Sequence, residues 1–289
     1  TGFGDGKFDC PFKSVLVKDR YSGSKWDAHA SKLREACTRP LAKHHATDVQ
    51  HFCNGKWSER FTAQCDFDMT PEEFQKTWEP RFQDGAREVR DQPPNFKNFT
   101  KVGFATRDVP EDLMQELRDY WLAGRLVDSS PENPAKLHHV LPGCKADVWM
   151  LHLNDQLKAR VNDVLRPILA AWASLKPDTL KLTAFYGLRL YRHGSVLNMH
   201  VDRWATHAIS AILEIGHLGF GPPDAPLEPW PLKIVSHDGD EHSVPNRAGQ
   251  MILYESATCA HGRPDPFPGR ELANVFVHFA PEGWPHDYR

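Results

Sequence analysis

The residues with the clearest chemical potential lie between Tyr191 and Glu214, in YRHGSVLNMHVDRWATHAISAILE. His200-Val201-Asp202 sets an imidazole and a carboxylate two residues apart. Side chains of an extended strand alternate between faces, so residues i and i+2 share one. A neutral imidazole nitrogen and a carboxylate oxygen on one face supply two of the three protein ligands of a common iron site, built from two histidines and one carboxylate. The third ligand must come from elsewhere, and His261, in CAHGRPDPFPGR, is the candidate. A His-x-Asp alone is a weak signal in a chain with 16 histidines. Its surroundings strengthen it. Strand-like runs flank the pair, His261 follows a run ending in Glu255, and Arg270 opens the last apolar run.

The frame that must position these residues is legible after Pro177. Short apolar runs, often β-branched or aromatic, alternate there with turn residues: LKLTAFYGLRLY, VLNMHVD, HAISAILEI, PLKIVSH, EHSVP, MILYES and LANVFVHF. Strands at this spacing predict a sandwich or barrel of jelly-roll type. No helix-length pattern interrupts them, which argues against a parallel βαβ sheet. The longest gap, Gly216 to Pro231, reads as a lid or binding loop. Upstream, Val109-Pro110-Glu111 opens a helix through Tyr120 that ends near Gly124. Residues 125 to 147 read as loop. From Trp149 to Leu175 apolar residues recur every three or four positions, which predicts an amphipathic packing helix bent at Pro167.

Gln92-Pro93-Pro94-Asn95 is a break and a candidate boundary. It divides an N-terminal region, 1–95, packed on the core and of unassigned role, from a site-bearing domain, 96–289, whose jelly-roll core spans about 180–280. Helical spacing occurs in the first part at Lys25 to Cys37 and Pro71 to Phe82. His44, His45, His51, Cys53 and Cys65 lie between them, in a spacing that matches no common zinc finger.

Composition narrows the class. The chain has 289 residues, 40% hydrophobic and 25% charged, as in ordinary globular proteins. A net charge of -3 argues against a nucleic-acid partner held by phosphate neutralisation. No apolar run is long enough for a membrane span. Six cysteines permit disulfides without requiring them. Asn98-Phe99-Thr100 is a glycosylation sequon, a triplet frequent by chance. These features leave the compartment and oligomeric state open.

Taken jointly, the spacing resembles that of the 2-oxoglutarate and Fe(II)-dependent oxygenases, and within them the prolyl 4-hydroxylase-like group. The motif of that group reads Tyr, two residues, Gly, five residues, His-x-Asp, then a distal His with a basic residue nine or ten positions on. Here it reads Tyr191, Gly194, His200, Asp202, His261 and Arg270. The resemblance covers about residues 180 to 280 and none of the first 100. It implies an α+β protein with a double-stranded β-helix (jelly-roll, cupin-like) core and flanking helices. It implies that His200, Asp202 and His261 ligate Fe(II), and that no further catalytic residue is needed. Arg270 would pair with the far carboxylate of the cosubstrate 2-oxoglutarate, and Tyr191 would hydrogen-bond cosubstrate or substrate. Dioxygen is the other cosubstrate, with ascorbate as an accessory reductant. The implied reaction hydroxylates an unactivated C–H bond and releases succinate and CO2. Family halogenases lack the carboxylate that Asp202 provides, so hydroxylation is favoured, with desaturation and ring closure open to the same chemistry.

The resemblance points to a peptidyl proline as substrate. The alternative is a free small molecule, such as an amino acid or biosynthetic intermediate, enclosed by the 216–231 loop. A non-catalytic jelly-roll binding module is the rival from another class, and it would need no intact triad. Arg203 and Arg263 are expected at the mouth, where they would suit an anionic group, and Trp204 and Trp230 are expected to flank the entrance. His193, His207 and His217 read as structural or solvent-facing. Glu214 departs from the pattern, because relatives place there a Tyr that touches the far carboxylate. An ionised Glu would repel that group, so Glu214 faces outward, pairs with a base such as Arg270, or is protonated.

Overall fold

Two amphipathic helices form where the sequence carries both a stripe and a stop. The structure, a computed structural model, describes residues 87–132, 140–141, 148–193, 195–220, 228–265 and 267–288. The N-terminal helices, the His44–Cys65 cluster and Cys144 lie outside these residues. Helix α1 spans Glu111–Gly124 and buries Leu113, Leu117 and Trp121 along one stripe. Helix α2 spans Asp155–Trp172 and buries Leu157, Val161, Leu165 and Leu169. Each fully buried Leu of these stripes contributes roughly 1.5–3 kcal/mol. Asn154 caps α2, its side chain accepting from the Leu157 N–H at 2.8 Å. That cap corrects the expected start of the helix at Trp149. The run Trp149–Leu151 is instead a short strand, aromatic and apolar, paired with Leu188–Leu190. Among the described residues no helix is long and apolar enough to cross a membrane.

The strands in chain order are β1 (Phe104–Asp108), β2 (Ser130–Pro131), β3 (Val140–Leu141), β4 (Trp149–Leu151), β5 (Leu180–Arg192) and β6 (Val196–His200), followed by β7 (Ile209–Leu218), β8 (Leu232–Val235), β9 (Glu241–Val244), β10 (Gln250–Tyr254), β11 (His261–Arg263) and β12 (Glu271–Pro281). One sheet has the order β1-β10-β7-β12-β5-β4-β2, the other β3-β6-β11-β8-β9. Every pairing is antiparallel. Strands β5 to β12 therefore alternate between the two sheets, four in each, apart from the β8–β9 hairpin. That is the jelly-roll order, in agreement with the predicted α+β class.

Strand alternation sorts the side chains. The outer face of the large sheet (Leu188, Leu190, Ala211, Leu213, Val275, Val277) packs with the stripes of α1 and α2. The inner face carries Tyr191, Leu272 and Phe276, and next to them Ile212, Ile252 and Tyr254 meet Leu232 and Ile234 of the small sheet. On the outer face, Glu271 is fully buried and takes the Trp121 indole N–H at 2.8 Å, Arg125 at 3.1 Å and Arg192. One carboxylate thus fastens α1 to β5 and β12, and several donors offset its desolvation.

All seven predicted core strands are present. Five strands were not predicted: β2 and β3, two residues each, lie in the stretch expected to be loop, β4 lies in the expected helix, and β1 and β11 carry no readable pattern. β1 is a mostly exposed edge, and β11 is three residues long, HGR, formed because β6 and β8 flank it on both sides. The expected 216–231 loop starts later, since β7 runs to Leu218.

Candidate metal centre

Strand pairing assembles the site. His261 of β11 lies directly opposite His200, the last residue of β6. The imidazole rings sit 4.4 Å apart between centroids. Asp202 follows two residues after His200, where the chain leaves the strand. Its N–H donates to the Ser256 carbonyl at 2.8 Å, and its own carbonyl accepts from the Gln92 side chain at 2.7 Å. The ligand atoms of His200, Asp202 and His261 all lie within 4.8 Å of one another. The Asp202 carboxylate is 3.6 Å from His200 Nε2 and 3.9 Å from His261 Nε2.

Electrostatics suit a cation at this point. Burial, with the neighbouring His200, pulls the His261 pKa down to about 4, so the ring is neutral at physiological pH, the form that binds metal. Its Nδ1 lies 2.9 Å from the Cys259 carbonyl, which fixes the proton there and turns Nε2 toward Asp202. Burial would raise the Asp202 carboxyl, but His200, with His261 and His278, outweighs it and holds the group well below the usual range. Asp202 Oδ2 is buried with no hydrogen-bond partner. A buried carboxylate oxygen with no hydrogen-bond partner, close to the neutral His261 imidazole, suits a cation as its partner. The donor set of two nitrogens and a carboxylate oxygen fits Fe(II).

Prolyl hydroxylases are among the solved structures of similar shape. A Pseudomonas putida prolyl-4-hydroxylase is 21% identical, with a TM-score of 0.41 over 63% of this chain and 94% of that chain. A Trichoplax adhaerens prolyl hydroxylase, in complex with a hypoxia inducible factor peptide fragment, is 10% identical, with a TM-score of 0.43 over 74% of this chain and 95% of that one. HygX from Streptomyces hygroscopicus, with nickel, 2-oxoglutarate and hygromycin B bound, is 13% identical, with a TM-score of 0.43 over 66% and 87%. No family model and no curated protein matches the chain.

The other expected site residues are placed as follows. Tyr191 is fully buried inside the barrel, edge-on to Trp230 at 5.2 Å and Phe276 at 6.4 Å. Arg270 is buried just before β12, its N–H held by the Leu218 carbonyl at 2.7 Å. Arg203 is exposed, and Trp204 is 40% exposed, stacked on Phe96 at 6.1 Å. Trp230 and Arg263 correct the expectation of a place at the mouth. Both are buried to 2% or less, Trp230 against Phe267 and Tyr191, Arg263 over the Trp230 ring at 4.9 Å. Glu214 faces the interior, cross-strand from Asn274, which removes the outward alternative. Its Oε1 accepts from His217 Nδ1 at 2.7 Å, which gives it a partner within its own strand.

Four residues near Asp202 had no signal in the sequence. His278 Nδ1 lies 3.6 Å from Asp202 Oδ2 and 2.7 Å from Ser210 Oγ. Ser210 Oγ meets Ser256 Oγ at 2.6 Å, and Ser256 also donates to the His207 carbonyl. The His207 and His278 rings stack 3.8 Å apart. Burial pulls His278 down to about 3, leaving it neutral. His207, read as structural or solvent-facing, is buried in the wall beside the triad. Gln92, 110 residues from Asp202 in sequence, ties the Asp202 carbonyl to that of Ala257.

Proposed function

We propose that the chain is an Fe(II)- and 2-oxoglutarate-dependent dioxygenase that hydroxylates an unactivated C–H bond. The observation that carries this reading is the inward-facing His200–Asp202–His261 set, with neutral His261 and an unfilled Asp202 oxygen. Fe(II), 2-oxoglutarate and dioxygen together supply oxidative decarboxylation to succinate and CO2 and transfer of one oxygen atom to the substrate. His200, Asp202 and His261 would hold the metal from one side and leave the opposite side open to ligands. The Cys259 carbonyl orients His261, and the Ser256 carbonyl with Gln92 fixes the Asp202 backbone. The apolar inner walls, Ile212, Ile252, Leu232 and Ile234, exclude water from the barrel interior.

The substrate indicated by the motif is a peptidyl proline. The exposed rings of Trp204 and Tyr186, the latter 6.4 Å from His278, offer surfaces on which a pyrrolidine ring would pack. The test is a screen of proline-containing peptides and of free amino acids under labelled dioxygen with Fe(II) and 2-oxoglutarate. A peptide that gains one labelled oxygen atom supports the reading. A gain confined to free small molecules replaces the substrate class, and a product that loses two hydrogens without gaining oxygen replaces hydroxylation.

A further inference from the structure

The wall beside Asp202 carries a chain of buried hydroxyls whose hydrogens run in one direction. His278 of β12 lies directly opposite Ser210 of β7 in the strand register. Its Nδ1 is 2.7 Å from Ser210 Oγ and 3.6 Å from Asp202 Oδ2. Ser210 and Ser256 are fully buried, and their hydroxyls meet at 2.6 Å. A hydroxyl has a single hydrogen to donate, and a carbonyl only accepts. Ser256 gives its hydrogen to the His207 carbonyl at 2.9 Å. Ser256 Oγ therefore accepts from Ser210, and Ser210 Oγ accepts from His278. The chain thus assigns a hydrogen to Nδ1 of His278, the nitrogen beside the Asp202 carboxylate. The His207 ring, stacked at 3.8 Å, restrains the His278 ring from one face. The same Ser256 accepts the Asp202 N–H through its carbonyl at 2.8 Å. One residue therefore sets both the backbone of Asp202 and the ring next to its carboxylate.

We propose that His278 is a positioning residue for Asp202, its Nδ1–H held by the Ser210–Ser256 chain so that the carboxylate keeps one orientation toward the metal. The inference rests on the metal site of the function proposed above. At 3.6 Å the Nδ1–H does not bond Asp202 outright. It sets the positive end of an N–H dipole beside a buried carboxylate, where the low dielectric strengthens the attraction, and so opposes turning of that group away from His200 and His261. Groups that orient a metal ligand in this way change metal affinity by roughly 10–100-fold when they are removed. A chain that only satisfied two buried hydroxyls would serve equally with its hydrogens reversed, and metal binding would not depend on an N–H at His278.

The experiment reads the proton and the metal separately, both on the full chain. Isotope-edited histidine NMR of the metal-free wild type is expected to show a proton on Nδ1 of His278. A proton on Nε2 alone overturns the inference. Mn(II) affinity, read by electron paramagnetic resonance, is expected to fall about 10-fold in His278→Phe, which keeps an aromatic ring and loses the N–H. It is expected to recover in His278→Asn, whose amide N–H replaces the one at Nδ1. Ser210→Ala, which removes the acceptor that directs that hydrogen, is expected to lower the affinity by a smaller factor, and it decides the matter if His278→Phe fails to fold. Wild-type affinity in His278→Phe or in Ser210→Ala, or no recovery in His278→Asn, overturns the inference while the metal reading stands. A wild-type chain that takes up no Mn(II) overturns both.

Discussion

Replacing Asp202 with alanine removes the one anionic ligand of the triad and leaves the barrel wall otherwise intact. In the wild type the carboxylate sits 3.6 and 3.9 Å from the two imidazole nitrogens, with one oxygen unfilled. A divalent ion that binds only the folded chain stabilises it by about 2.7 kcal/mol at a free concentration of 100 times its Kd. For a domain of this size that raises Tm by about 5–11 °C. If loss of the carboxylate weakens binding about 100-fold, the same concentration only matches Kd, and the gain falls to about 0.4 kcal/mol, a shift of about 1–2 °C. The assay is thermal unfolding of both proteins with and without Mn(II). Equal shifts in the two proteins, or no shift in the wild type, would refute the assignment of Asp202.

Other consequences can be measured independently. Gly216→Ala should lower Tm by several degrees, because a Cβ there would sit 2.5 Å from Cζ3 of Trp121, an overpacking cost of about 1–3 kcal/mol; an unchanged Tm would mean that α1 shifts freely. Burial, with Glu255 nearby, pushes the Cys259 thiol up to about 12, so native protein at pH 8 should resist alkylation at Cys259 and unfolded protein should not, as peptide mass spectrometry can show. Burial holds His278 near 3 and His261 near 4, against an ordinary 6.5. The unfolded chain therefore takes up protons first, and metal-free stability should be full above pH 6.5 and fall as pH drops toward 4. A Tm that stays flat between pH 7 and 4 would contradict the buried neutral imidazoles.

The sequence showed the site where chemistry follows a two-residue period and hid it where contacts cross between strands. His200 and Asp202 were readable because one strand-end segment carries both. His261 was found by its distance from Arg270, not by its strand, since HGR has no apolar alternation and is held only by its neighbours. The α2 stripe is clear, but its apolar pattern runs on into Trp149–Leu151, and only the Asn154 cap sets the start at Asp155. Arg263 reads as a mouth residue because it closely follows His261 and would suit an anionic group there. Its burial depends on Trp230, a partner 33 residues away. Gln92, Ser210, Ser256 and His278 reach Asp202 from four separate segments, and no local pattern marks such convergence. Glu214 was recognised as a departure, but its pairing with His217 became evident only when β7 was placed with that carboxylate inside the barrel.

The central claim is that His200, Asp202 and His261 hold Fe(II) for 2-oxoglutarate turnover. The most direct measurement is succinate released from 2-oxoglutarate by the full chain under air with Fe(II), compared with His261→Ala at matched fold content. The account predicts succinate from the wild type that disappears when Fe(II) is withheld and in the variant. No succinate from the iron-loaded wild type, or equal succinate from His261→Ala, would contradict it.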